Sequence, residues 1–445
     1  MDRKKFGALA FGAMLVAAAC TPTGGESAAP SSGGETTAPS AGGGESPAPG
    51  SAGTLKIGID LPLSGGEAVN GEPTRNGVLL AIKQANAAGG INGYTLEAVE
   101  KDDAVNGVHD PNQGATNVNA LVADEAVVGM VGPFNSNVAR AQIPIANEAG
   151  LAMCSPANTG VDRTQEGSET YRPANPDARN YFRTATPDNI QGKGLAQYAY
   201  NELGAKNAYV LDDTEAFGVG VANEFEKEFV SLGGTIAKRD GNDYKTNTSF
   251  TSLLTTAKGL TPPIDVVFFG GTQTNGGGQV RKDMGSLAML DIPYVGPDGI
   301  TDLAKGGTKG AYITLAGVEN SGNTHGSVAG VHDLPNAGTF PADYEAEFGT
   351  PPGAYSALAF VCTTILLDSI RTATAAGGTD MAALREAVRA AAFDGSTHET
   401  LVGPIVVDPN GDSGTWLSFY KTDPTAEGGL GGWTFVKQQN FAPGQ

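Results

Sequence analysis

Residues 131–159 read VGPFNSNVARAQIPIANEAGLAMCSPANT. An apolar run, Ala126–Val131, ends in Gly-Pro. Asn135 and Ser136 follow, then a stretch with helical spacing, then a second apolar run that ends in Ser155-Pro156-Ala157-Asn158-Thr159. Strand, helix and strand in that order are the unit of a parallel sheet. Each strand ends where hydroxyls and free backbone N–H groups meet at the start of a helix or turn. Helix N-termini carry unsatisfied donors and a partial positive charge, which suits a carboxylate. Ser, Thr and Asn are equally the preferred N-caps, so each turn alone also has a purely structural reading. Two such turns on adjacent units of one sheet point to a cleft for a small ligand.

The same alternation extends in both directions. LKIGIDLPL is a buried strand, and EPTRNGVLLAIKQANAAGG carries Val78, Ile82 and Ala85 at helical spacing before stopping at Gly-Gly. YTLEAVEKDD is the next strand. DPNQGATNVNALVAD is a helix opening on Asp-Pro. After the polar loop Thr164–Asn180 the pattern restarts with YFRTAT and a helix over Ile190–Leu203. Strands AYVLDD, TIAKRDGND and VVFFGG then alternate with helices over Gly218–Leu232, Ser249–Lys258 and Gly277–Leu287. PYVGPDG and AYITLAG read as closing strands. Gly353–Ala376 and Met381–Ala391 read as helices, and LVGPIVVDPNGDSGTWLSFYKTD as a hairpin turning at Asn410-Gly411.

The expected architecture is α/β, with two doubly wound parallel-sheet lobes. The N-terminal lobe is expected over 54–184 and 317–414, the C-terminal lobe over 185–316 and 415–445. The chain then crosses between them near Thr184–Pro187, Leu315–Val318 and Ser413–Trp416.

Residues 1–20 read as an export signal rather than as fold. Arg3, Lys4 and Lys5 precede a short apolar core, Phe6–Ala19, which ends Ala17-Ala18-Ala19-Cys20. This resembles the lipobox of bacterial lipoprotein signals, with Cys20 as the lipidated residue and Ala17 where leucine is commonest. Residues 21–53 are almost wholly Gly, Ser, Ala, Pro, Thr and Glu. Such a composition buries no core and reads as a tether of roughly 30 Å root-mean-square span. No other segment has 18 uninterrupted apolar residues, so the membrane is expected to be met through the lipid alone. A net charge of −20 argues against nucleic acid and anionic lipid surfaces as partners. Cys154 and Cys362 sit in apolar runs and read as buried thiols; an oxidising compartment also permits a bridge between them.

Several motifs suggest chemistry and do not support it. Gly411-Asp412-Ser413-Gly414 looks like a protease nucleophile motif, but it lies in a turn without a positioned base. His325 and His332 share a polar loop and make no metal site unaided. The acid pairs Asp102-Asp103 and Asp212-Asp213 read as strand-end caps or hinge contacts, not as a glycosidase pair. The glycines at 270–271 and 276–278 lack the Lys-Ser/Thr of a P-loop. No enzyme activity, cofactor or metal is expected.

Ligands of open α/β sheets sit beyond the carboxyl ends of the strands. In the first half those ends hold hydroxyls and amides. In the second they hold acids and an aromatic, in Asp212–Gly218, Gly270–Gln273 and Gly296–Gly299. A zwitterion needs that division. The ordered set LKIGIDLPLSG, GINGYTLE, DDA, VVGMVGPFNS, SPANT, FRTATPD, VLDDTEAFGVG, FFGG and VGPDG resembles the Leu/Ile/Val-binding family of solute-binding proteins. These are type I periplasmic binding proteins that serve branched-chain amino-acid ABC transporters, and the resemblance runs from about residue 55 to about 440.

The resemblance implies two lobes joined by a three-segment hinge and closing on one ligand. Ser136 and Thr159 match positions that hold an α-carboxylate, and Ala157 or Asn158 a position of backbone contact. Asp298 matches the acid that takes an α-ammonium. Phe217 matches an aromatic wall; Asn70, Thr272 and Gln273 fall where the family often has aromatic residues. Asp298 is about 1.5 Å shorter in reach than the usual glutamate. The disulfide of some relatives is absent, because Ala104 and Asn135 occupy the matching neighbourhoods. The expectation is a monomeric, lipid-anchored, extracytoplasmic protein that captures an amino acid and delivers it to an ABC permease. A ligand-sensing role, or an amide, urea-like or aromatic ligand on the same fold, is the alternative.

Overall fold

The computed structural model describes residues 51–303, 309–375, 380–423, 425 and 430–441. The export signal with Cys20 and most of the tether lie outside the described residues. The first of two main sheets has five parallel strands in the order Tyr94–Asp102, Gly53–Leu61, Val127–Val131, Ala152–Ser155 and Tyr181–Arg183. The second has seven, in the order Trp433–Asn440, Trp416–Thr422, Thr324–Val328, Tyr294–Val295, Val266–Gly270, Asn207–Asp212 and Thr235–Gly241. Its five strands from the middle of the chain run parallel, and the two C-terminal strands add antiparallel at one edge.

Helices cover both faces of each sheet, which is why the strands read as continuous apolar runs. On the first sheet, Leu55, Ile57 and Ile59 pack with Val78, Ile365 and Leu384 of three helices. On its other face Met130 and Met153 meet Val118, Leu121 and Ile143. Ser356–Thr374 is the one described helix long and apolar enough to cross a bilayer. Here it is a core helix, burying Leu358, Val361, Ile365 and Leu366.

Four local readings need correction. AYITLAG is not a strand; Ala311–Ala316 is a short helix. The closing parallel strand is Thr324–Val328, THGSV, whose mixed composition hides a buried strand among loop residues. The second crossover therefore follows Val328 rather than Leu315–Val318, and the 316/317 lobe boundary moves accordingly. The C-terminal hairpin does not turn at Asn410-Gly411. Thr397–Thr400 pairs with Gly403–Val406, and Trp416–Thr422 pairs with strands of the second sheet. The Asn-Gly turn instead leads the chain back across the lobes. Finally, Cys154 and Cys362 form a disulfide, with Cα atoms 5.5 Å apart. It ties the helix Ser356–Thr374 to the strand that ends at Ser155.

The three crossings lie side by side. Thr186 N–H donates to the Ala329 carbonyl (3.1 Å), and the Thr186 hydroxyl donates to the Trp416 carbonyl (2.5 Å). Ser413 Oγ donates to the Arg183 carbonyl at 2.7 Å. Arg183, wholly buried, pairs with Asp412 at 2.7 Å. A Cβ on Gly414 would lie 2.6 Å from the Ala185 backbone, so only glycine lets the segments pass this closely.

Candidate functional site

All nine residues singled out from the sequence (Asn70, Ser136, Ala157, Asn158, Thr159, Phe217, Thr272, Gln273 and Asp298) line one cavity between the two sheets. The sheet topology puts them there. Each follows a strand or opens the helix after it, at the carboxyl edges that the two lobes turn toward each other.

The turn after Val127–Val131 is held open by Gly132, whose φ is 125° and whose Cβ position lies 2.1 Å from the Asp60 carbonyl. Phe134, Asn135 and Ser136 then enter the cavity, Ser136 as the first residue of the helix Ser136–Glu148. The capping alternative fails here. Asn135 stands at the N-cap position without a side-chain cap bond, and its Oδ1 is buried with no partner. In the second turn the structural work falls to Ser155. Its Oγ donates to the Pro133 carbonyl (2.6 Å) and accepts from Asn158 N–H (2.9 Å). Asn158 is left with both amide atoms buried and unpartnered.

The opposite wall is acidic. Asp298 is 5% exposed; its Oδ2 accepts from the Tyr355 hydroxyl at 2.8 Å, while Oδ1 has no partner. Its backbone N–H donates to Gln191 Oε1 at 2.9 Å. Burial pushes its carboxyl up to about 6, against the hydrogen bonds of Tyr355 and Gln191. Asp188 opens the helix Asp188–Gln197 and is wholly buried. Burial, and then the charge of Asp298, raise it to about 8. The Thr159 hydroxyl stands beside the Asp188 carboxylate and favours its charged form, without a hydrogen bond of good geometry. Two acids raised by burial, one of them further by the charge of the other, are what a cation in the cleft relieves.

Tyr355, Asp188, Glu67 and His109 were not found from the sequence. Tyr355 does not follow a strand; it precedes the helix Ser356–Thr374 and stacks edge-on against Phe134 at 4.8 Å. His109 sits in a small hairpin, Ala104–Val105 against Val108–His109, that projects it onto Glu67. Its Nδ1 lies 2.8 Å from Glu67 Oε1. Burial would lower the His109 ring, but Glu67 more than offsets this and holds it above its ordinary value. The Thr274 hydroxyl, from the other lobe, also donates to Glu67 Oε1 at 2.7 Å. Asn137 Nδ2 bonds Glu215 Oε2 across the cleft at 2.8 Å. The lining includes five carboxylates (Glu67, Asp213, Glu215, Asp298, Asp302) and His109, with no Lys or Arg among the described residues. No group of His, Cys, Asp or Glu among the described residues is arranged to hold a metal ion.

A family model described as periplasmic binding protein matches residues 54–415. The chain is similar to the leucine-, isoleucine-, valine-, threonine- and alanine-binding protein of Pseudomonas aeruginosa, at 29% identity over 81% of this chain and 88% of that one. Among solved structures it is similar to the branched-chain amino-acid transporter substrate-binding protein LivJ of Streptococcus pneumoniae, in complex with isoleucine. There the TM-score is 0.69 and the identity 24%, over 86% of this chain and 99% of that one. It is also similar to an ABC-transporter solute-binding protein of R. palustris in complex with 4-hydroxybenzoate. That match has TM-score 0.71 and 17% identity, over 88% of this chain and 98% of that one.

Proposed function

Because the chain belongs to the periplasmic binding protein family, with the type I fold of two α/β lobes, we propose that it captures an amino acid between those lobes. It then delivers the ligand to an ABC permease from a lipid-anchored position outside the cytoplasm. The observation that carries the ligand class is the Asp298 carboxylate, buried with one oxygen unpartnered beside a second buried acid, Asp188. An α-ammonium placed there supplies the missing donor and the missing positive charge. Across the cleft, the first-turn N–H groups at Ser136, its hydroxyl and the free amide of Asn158 suit the carboxylate. Relatives of the fold bind aromatic acids, but a benzoate would bring a negative charge to a cavity lined, among the described residues, by five carboxylates and no Lys or Arg. The amino-acid reading is favoured on that ground.

The membrane role rests on Cys20 and the small residues before it. A Cys20→Ala chain should be released from the membrane or left unprocessed; a correctly cleaved Cys20→Ala chain that stays on the membrane refutes the anchor. For the ligand, a thermal-shift screen against amino acids, short amides and aromatic acids should give its largest stabilisation with an amino acid. Stabilisation by benzoates alone refutes the reading.

A further inference from the structure

The wall of the cavity formed by the loop after Val266–Gly270 has an uneven stock of donors and acceptors. Thr274 Oγ1 donates its only proton to Glu67 Oε1 at 2.7 Å. The 3.0 Å bond between the Thr272 and Thr274 hydroxyls must therefore be donated by Thr272. The hydroxyl chain thus runs from Thr272 through Thr274 to Glu67 and both protons are spent; Thr272 Oγ1 also accepts from Asn275 N–H at 3.3 Å, which leaves it one lone pair. Gln273 lies between them in sequence. Its Nε2 donates to the Ala311 carbonyl at 3.3 Å, which fixes the orientation of the amide and leaves Oε1 a buried acceptor without a partner. Glu67, as a carboxylate paired with His109, is acceptor only. This wall can receive hydrogen bonds and has almost none to give.

An α-ammonium does not answer this demand. In the reading above it is committed to Asp298, and the α-carboxylate to the turns at Ser136 and Asn158. We propose that the ligand's side chain supplies the donor. In this inference, which rests on the amino-acid reading, Gln273 Oε1 and the Thr272 hydroxyl oxygen accept from an O–H or N–H group. The cleft then selects amino acids with a hydroxyl or amide side chain over branched aliphatic ones of the same shape. An aliphatic side chain would leave Oε1 buried and unpaired, and a site built to hydrogen-bond its ligand discriminates strongly against the analogue that lacks the group. An acidic side chain would meet Glu67 and Asp213 of the lining.

The test is calorimetry on the full chain with isosteric pairs: threonine against valine, asparagine and glutamine against leucine. At least one donor-bearing amino acid should bind about tenfold or more tightly than its aliphatic counterpart. Gln273→Met, which keeps the length of the side chain and removes the acceptor, should bring that ratio toward one. Valine or leucine binding as tightly as the polar partner, or tighter, overturns the inference while leaving the amino-acid reading intact. Failure of every amino acid to bind overturns both.

Discussion

Replacing Asp298 by asparagine should separate binding from stability in opposite directions. In the cleft this carboxyl is raised from 3.8 to about 6, chiefly by burial. A folded-state value above the unfolded one means that ionisation opposes folding. The penalty is fully present above about pH 6 and vanishes below about pH 4. At about 1.4 kcal/mol per pH unit, the rise corresponds to about 3 kcal/mol at neutral pH. Asparagine removes the charge, keeps the shape and still offers Tyr355 an acceptor. The empty Asp298→Asn chain should therefore melt higher than the native one, by up to about 3 kcal/mol of unfolding free energy. Ligand binding should weaken by about 2–5 kcal/mol, because the ammonium loses its charged partner in a dry site. Urea unfolding of the empty chains at pH 7 measures the first effect and calorimetry the second. An Asp298→Asn chain that binds the native ligand normally refutes the ammonium site. One that unfolds more easily when empty refutes the argument that the buried charge is unfavourable.

Removing the Ser136 hydroxyl by alanine should cost about 1.5–3 kcal/mol of binding, less than the Asp298 change, as calorimetry on the same ligand will show. Binding should release protons between pH 5 and 8, because the ammonium favours the ionised forms of Asp298 and of Asp188, which burial and Asp298 raise to about 8. Calorimetry in buffers of different ionisation enthalpy reads that release, and affinity should fall about tenfold per pH unit from pH 8 to pH 6 and more steeply below pH 6, where both acids must lose a proton. A Cys154→Ala, Cys362→Ala double variant should lose about 2–5 kcal/mol of stability, since the bridge closes a loop of sequence separation 208. Equal unfolding midpoints for the variant and the native chain would argue that the link contributes nothing.

The lining of the candidate cavity was most legible where chemistry follows strand ends. Ser136, Asn158, Thr159, Phe217 and Asp298 were legible because each lies just past a run of apolar residues, where a parallel sheet presents its ligands. Tyr355 was not, because it reaches Asp298 from 57 residues away through a helix that belongs to the first sheet. Asp188 reads as an ordinary helix-start acid; only its wholly buried place beside Asp298 gives it meaning. His109 was passed over because two-residue strands leave no periodic signal. THGSV was misplaced because a buried strand of Thr, His, Gly and Ser looks like a loop, and AYITLAG because six residues cannot separate a buried helix from a strand. The disulfide could not be settled from two cysteines in apolar runs, since a buried thiol and a bridged one have the same sequence context.

The bonds that span the cleft carry a kinetic consequence. Tyr355 to Asp298, Thr274 to Glu67 and Asn137 to Glu215 join the lobes across the cleft. Asp298, almost wholly buried behind them, is beyond the reach of a solute arriving from solution. The ligand must therefore wait for those three contacts to break. Its observed association rate should rise with concentration at first and then level off at the rate at which the clamp opens. That ceiling, rather than diffusion, limits how quickly the protein can answer a sudden pulse of nutrient. Weakening any one of the three bonds should raise it.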